Sequence, residues 1–146
     1  MPITYQIDVD NRTIRTKGLG NVTLRDVIDH FRNLEQDPQC PERIDVFLDL
    51  SEVDSLPETP EISAVVSELR RIHHRVRFDA CAILVSGDAL FGMMRVFEAK
   101  AEEFFRGTRT LRVATEAELW LVSQKMAGQT ETGGRRLMLD GARNWA

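Results

Sequence analysis

Few side chains in this 146-residue sequence have the type and spacing that chemistry needs. Its three histidines are His30, alone, and the adjacent His73 and His74. An adjacent pair binds a metal only if ligands from elsewhere converge on it. The competing reading is a solvated pair at the end of an arginine-rich helix, where positive character suits the carbonyl end. Cys40, in Asp37-Pro38-Gln39-Cys40-Pro41, and Cys81, inside an apolar run, lack metal-ligand spacing and imply no disulfide framework. Cys81 reads as a small hydrophobe. No Ser-His-Asp, Cys-His or paired-carboxylate pattern is legible. Catalysis would need His73, His74 or Asp49 to converge with a nucleophile in space. The expectation is a protein that is not an enzyme and holds no cofactor and no metal.

A second group of residues points to binding. Gly87 and Gly92 flank Asp88-Ala89-Leu90-Phe91, without the lysine or the spacing of a phosphate-binding loop. One reading is a loop at the carboxyl end of a central strand, where open α/β sheets bind ligands, with Asp88 capping the helix and Arg95 turned to that edge. The other is a plain helix start with a surface arginine. Phe91, Met93, Met94, Phe97, Phe104 and Phe105 form a soft apolar set that either lines a cavity or fills a core, since Met suits irregular gaps. Asp45, Phe47 and Asp49 share one strand face, which makes Phe47 an exposed aromatic among acids and an interface candidate.

These residues need elements to place them. Alternation predicts strands over Ile3–Val9, Arg12–Lys17 and Ile44–Leu50, the first two joined at Asp10-Asn11, with Gly18-Leu19-Gly20 breaking the pattern. Phe78–Val85 reads as a strand buried on both faces, and Thr110–Val113 as a short last strand. Helical spacing predicts Leu24–Gln36, boxed by Thr23 and Asp26, and a second helix from Pro60 with Ile62, Val65, Val66, Leu69 and Ile72 inward. A third helix runs to near Gly107. The fourth starts at the Thr115-x-x-Glu118 box, with Leu119, Val122 and Met126 inward. A loop fills Ser51–Thr59. The polar, glycine-rich stretch 127–146 reads as a mobile tail in which Leu137-Met138-Leu139 and Trp145 could dock.

The order β-β-α-β-α-β-α-β-α predicts one α/β domain over 1–126, with a mixed, mostly parallel sheet and an antiparallel opening strand. Strands with one apolar face predict helices mainly on one side and strands in sequence order. The net charge of −4 argues against a nucleic-acid partner. No apolar run approaches the ~18 residues of a transmembrane segment. The opening Met-Pro-Ile-Thr-Tyr lacks a signal peptide's basic and apolar regions, so the expected location is cytoplasmic.

Two segments carry a family resemblance. Val46-Phe47-Leu48-Asp49-Leu50-Ser51-Glu52-Val53 is similar to the apolar-Asp-Leu-Ser-x-Val strand and turn of STAS domains. Phe91-Gly92-x-x-Arg95 through Trp120-Leu121 resembles the small bacterial STAS/SEC14-type proteins, relatives of the anti-sigma-factor antagonist SpoIIAA. The resemblance covers roughly Met1 to Met126 and implies a SpoIIAA-like fold. It implies a non-enzymatic regulatory or interaction module that binds a protein partner or forms a homodimer. The working surface would be Ser51, Ser55 and Thr59 in the loop, Asp88, Phe91 and Arg95 at the helix start, and an open sheet face. STAS antagonists carry a phosphorylated serine in Asp-Ser-Ser-Gly; this chain has Pro57-Glu58-Thr59-Pro60 there. Thr59 stands opposite the phosphoacceptor but reads as a helix cap. The alternative implied by the resemblance is a SEC14-like binder of a small apolar or lipid-like ligand. It would use a dry cavity lined by Phe91, Met94 and Phe97, with Arg95 at the mouth for an anionic head.

Overall fold

A computed structural model describes residues 2–139, with side chains for 2–128. Strands β1 (Ile3–Asp8) and β2 (Thr13–Gly20) form an antiparallel hairpin. Strands β3 (Arg43–Val53), β4 (Arg77–Leu84) and β5 (Gly107–Leu111) then add in parallel, giving the order β1-β2-β3-β4-β5. Helices α1 (Leu24–Gln36), α2 (Thr59–Ile72) and α3 (Asp88–Lys100) make the three crossovers. Each crossover advances the same way with the same hand, so all three helices land on one face. Helix α4 (Ala114–Leu139) follows the last strand and folds back over β3, β4 and β5 on the other face. The mixed sheet, the sequence order of its strands and the one-sided bias of the helices are as the sequence predicts.

Strand alternation explains the two layers. Val46, Leu48, Cys81, Ile83 and Val85 meet α2 and α3. Phe47, Ala80, Ala82 and Leu84 meet Ala117, Trp120 and Leu121 of α4. Small side chains on both partners, Ala80 and Ala82 against Ala117, let the helix lie close to the sheet. Burying that face contributes at about 25 cal/mol per Å² of apolar surface.

Several local expectations are corrected. Strand β2 continues through Gly18-Leu19-Gly20, with a register shift between Lys17 and Leu19. Gly18 is required there, because a Cβ would stand 2.8 Å from Val53 Cγ2. Strand β3 runs on through Ser51 to Val53, so its loop begins at Asp54. Helix α3 stops at Lys100, a 3-10 turn at Glu102–Phe104 follows, and β5 starts at Gly107 rather than Thr110. Thr115 lies inside α4, and Glu118 pairs with Arg15 at 2.9 Å instead of closing a capping box.

The inward face of α4 is also different. Leu119, Val122 and Met126 are 69%, 51% and 63% exposed, whereas Ala117 and Leu121 are buried. The face against the sheet runs Ala117, Leu121, Gln124 and Lys125, an i, i+4, i+7, i+8 stripe. Polar pairing selects it. Lys125 Nζ lies 2.6 Å from Asp45 Oδ2, and Asp45 also accepts the Ala80 N–H at 2.9 Å. Phe47 is therefore 7% exposed, beneath α4 and 5.1 Å from the Arg15 guanidinium, and is no exposed interface aromatic. Helix α4 continues to Leu139 rather than ending near Met126. The rest of the expected tail, with Trp145, lies outside the described residues, as do the side chains of Leu137, Met138 and Leu139.

Candidate functional site

The layer under α1 and α2 is hollow. Leu24, Val27 and Phe31 turn towards the sheet, yet all three are only half-buried; Leu34, one turn further on, is fully buried. Across from them Leu48, Leu50 and Val53 of β3 are half-buried as well. Gly18 contributes no side chain to the gap. The result is an apolar cavity of about 170 Å³ between α1, α2 and the sheet, closed at one end by Met94 and Phe97 of α3. Tight packing would have buried these side chains.

Two loops frame the cavity, one before α1 and one before α2. Ser55 Oγ donates to the Val22 carbonyl at 3.0 Å and accepts the Val22 N–H at 2.9 Å, stitching the two together. The Asp54 N–H reaches Gly20 O at 2.8 Å. Thr23 caps α1 in a reciprocal box with Asp26, as its sequence predicts. Glu61 Oε1 accepts the Glu58 N–H at 2.9 Å. The polar side chains of the mouth are thus held by the chain itself.

One polar pair lies in the wall. Thr16 Oγ1 is 3.4 Å from His30 Nε2, and the His30 ring meets Tyr5 edge-on at 5.2 Å. Burial pushes the His30 pKa down to about 4, so the imidazole is neutral at pH 7. Tyr5 donates to Asp37 at 2.7 Å; burial and that bond raise its pKa to about 12. The Cys81 thiol lines the cavity and is pushed up by burial, which makes it inert.

The predicted site residues separate into three places. Ser55 sits at the cavity mouth. Ser51 lies within β3, donating to Asp49 Oδ1 at 2.6 Å and accepting at its carbonyl from Ser86 Oγ. Thr59 is exposed in the first turn of α2, and the capping position belongs to Glu58. Asp88, Phe91 and Arg95 lie on α3, away from the cavity. Gly87, not Asp88, is the cap there, and Asp88 pairs with Arg112. The same Arg112 lies 4.4 Å over the Phe91 ring. Arg95 pairs with Glu98 at 3.6 Å. The expected cavity thus keeps Met94 and Phe97 but loses Phe91, and Arg95 is not at its mouth. The reason is rotational: Met94 and Phe97, three apart, share the inward face of α3, while Arg95 is a further 100° round.

His73 caps the C-terminus of α2, its ring 5.5 Å from Phe104. No group of three potential metal ligands occurs among the described residues. No helix among them is long and apolar enough to cross a membrane. The sequence reading missed Thr16, Gly18, Val22, His30 and Glu61. One signal was available: His30 falls between Val27, Phe31 and Leu34, inside the apolar stripe of α1.

No family model matches the sequence, and no curated protein matches it. A solved structure does. It is an uncharacterised protein of the DUF3478 family with a SpoIIAA-like fold, from Shewanella loihica PV-4. It is 18% identical, with a TM-score of 0.52 over 82% of this chain and 91% of that one. The likeness establishes a SpoIIAA-like α/β fold, the fold that the two STAS-like segments implied.

Proposed function

We propose that this chain is a non-catalytic binding module that holds a small, uncharged apolar molecule between α1, α2 and the sheet. The observation that carries this reading is the half-buried apolar lining on both sides of a 170 Å³ void. A dry cavity of about 150 Å³ is enough to bind benzene. The occupant is therefore of about six to eight heavy atoms, not a long lipid. Glu61 is the one acidic side chain in the lining, and no Lys or Arg is among the lining residues. That favours a neutral ligand over the anionic head expected with Arg95. Catalysis finds no support in the polar groups of the mouth, which bond to the chain's own backbone. Two free thiols, Cys40 and Cys81, suit a reducing compartment, and the cytoplasm is the proposed location. Titration with benzene, followed by amide NMR, tests the reading. Shifts confined to the α1–α2 cavity support it, and no saturable shift rejects it.

A second reading, a regulatory module that associates with a second copy of itself, draws on the outward face of α4. Leu119 and Val122 are exposed there side by side, at i and i+3. Sedimentation of the full chain and of Leu119→Glu decides it: a dimer that the substitution splits supports it, and a monomer at all concentrations rejects it.

A further inference from the structure

Away from the mouth residues Thr23, Ser55 and Glu61, the cavity lining carries one hydrogen-bonding pair in an otherwise apolar wall. Thr16 is buried, at 4% exposure, and its hydroxyl stands 3.4 Å from His30 Nε2, the long limit of a hydrogen bond. Among the described residues neither side chain makes another hydrogen bond. A threonine hydroxyl offers one donor and two lone pairs, so this pair keeps unused capacity. At the mouth, Ser55 is held by the Val22 peptide, Thr23 by Asp26, and Glu61 accepts the Glu58 N–H. Burial among Tyr5 and Phe31 keeps His30 neutral.

We propose that Thr16 and His30 form the polar anchor of the cavity and select a neutral occupant carrying one hydroxyl, of about the size of phenol. The proposal rests on the pocket reading above. A hydroxyl both donates and accepts, so it completes the pair whichever ring nitrogen of His30 holds the proton. A purely apolar occupant leaves the Thr16 hydroxyl with its long bond alone. A carboxylate brings a charge into a lining whose one acidic side chain is Glu61 and which holds no Lys or Arg.

The test titrates the full chain with benzene, phenol and benzoate, observed by amide NMR. The wild-type chain binds phenol at least as tightly as benzene, and benzoate at least tenfold more weakly. Thr16→Val keeps nearly the same shape and suits a strand. It weakens phenol about tenfold and benzene less than twofold, as expected for one lost hydrogen bond. His30→Leu is the second variant and gives the same selective loss. Equal weakening of both probes, or of neither, overturns the anchor. Phenol binding tenfold more weakly than benzene to the wild-type chain overturns it while leaving the pocket intact. Failure of every probe to bind removes the pocket reading and the anchor together.

Discussion

Filling the cavity from α1 should stabilise the fold and weaken ligand binding. Val27 lines the void from the N-terminal half of α1, where the helix stands off the sheet and the side chain is half-buried. Val27→Phe adds four carbon atoms at that point. At about 0.8 kcal/mol per buried carbon, complete burial would yield about 3 kcal/mol. Residual exposure and the strain of fitting a ring against Leu48 reduce this to about 1–2 kcal/mol. An independent bound agrees: at about 24 cal/mol per Å³ of empty volume, the 170 Å³ cavity withholds roughly 4 kcal/mol in total, and one ring occupies part of it. Valine and phenylalanine have similar helix propensity, so the change acts through packing. Urea unfolding should show a raised midpoint with an unchanged slope. The midpoint of thermal unfolding should rise by about 3–8 °C. Benzene, bound by the wild-type chain with a Kd on the order of 0.1–1 mM, should bind the variant at least tenfold more weakly. A loss of 1–3 kcal/mol with benzene binding unchanged would refute the reasoning, because it is what overpacking of a filled core produces.

Ser55→Ala removes the stitch between the two mouth loops; stability should fall by about 1 kcal/mol, and benzene should exchange faster with little change in Kd, read from NMR line shapes. Lys125→Met leaves the buried Asp45 carboxylate without its cation and should cost about 2–4 kcal/mol in urea unfolding, with much of it recovered by adding Asp45→Asn. His30 makes stability pH-dependent. Its pKa is lowered by burial from 6.5 to about 4, so between those values the unfolded chain takes up a proton that the folded chain refuses. Stability should be fully present above pH 6.5 and fall by roughly 3 kcal/mol down to pH 4, and His30→Leu should flatten that window in denaturation measured across pH.

The architecture was legible because it depends on period alone. One apolar face on Ile44–Leu50, none spared on Phe78–Val85, and three helical stripes between strands suffice for a parallel sheet with helices biased to one side. What stayed hidden depends on relative position. The stripe of α4 could be Leu119-Val122-Met126 or Ala117-Leu121-Lys125. Hydrophobicity favours the first, but the small Ala80–Ala82 surface and the buried Asp45 require the second. Gly18 looked like a strand breaker because its use is tertiary: it makes room for Val53. The cavity was expected around α3 for the same reason, whereas α3 closes only one end of it, with Met94 and Phe97. Phe91, Met94 and Phe97 announce soft packing on α3, but emptiness belongs to the space between elements, and no residue type signals it. His30 within an apolar stripe was the nearest trace.

The most direct test of the account is amide NMR of the full chain titrated with benzene. The cavity reading predicts saturable shifts at Val27, Phe31, Leu48 and Val65, with the α3 start at Asp88, Phe91 and Arg95 unmoved. Absence of saturable shifts at the first group, or shifts confined to the second, would contradict it.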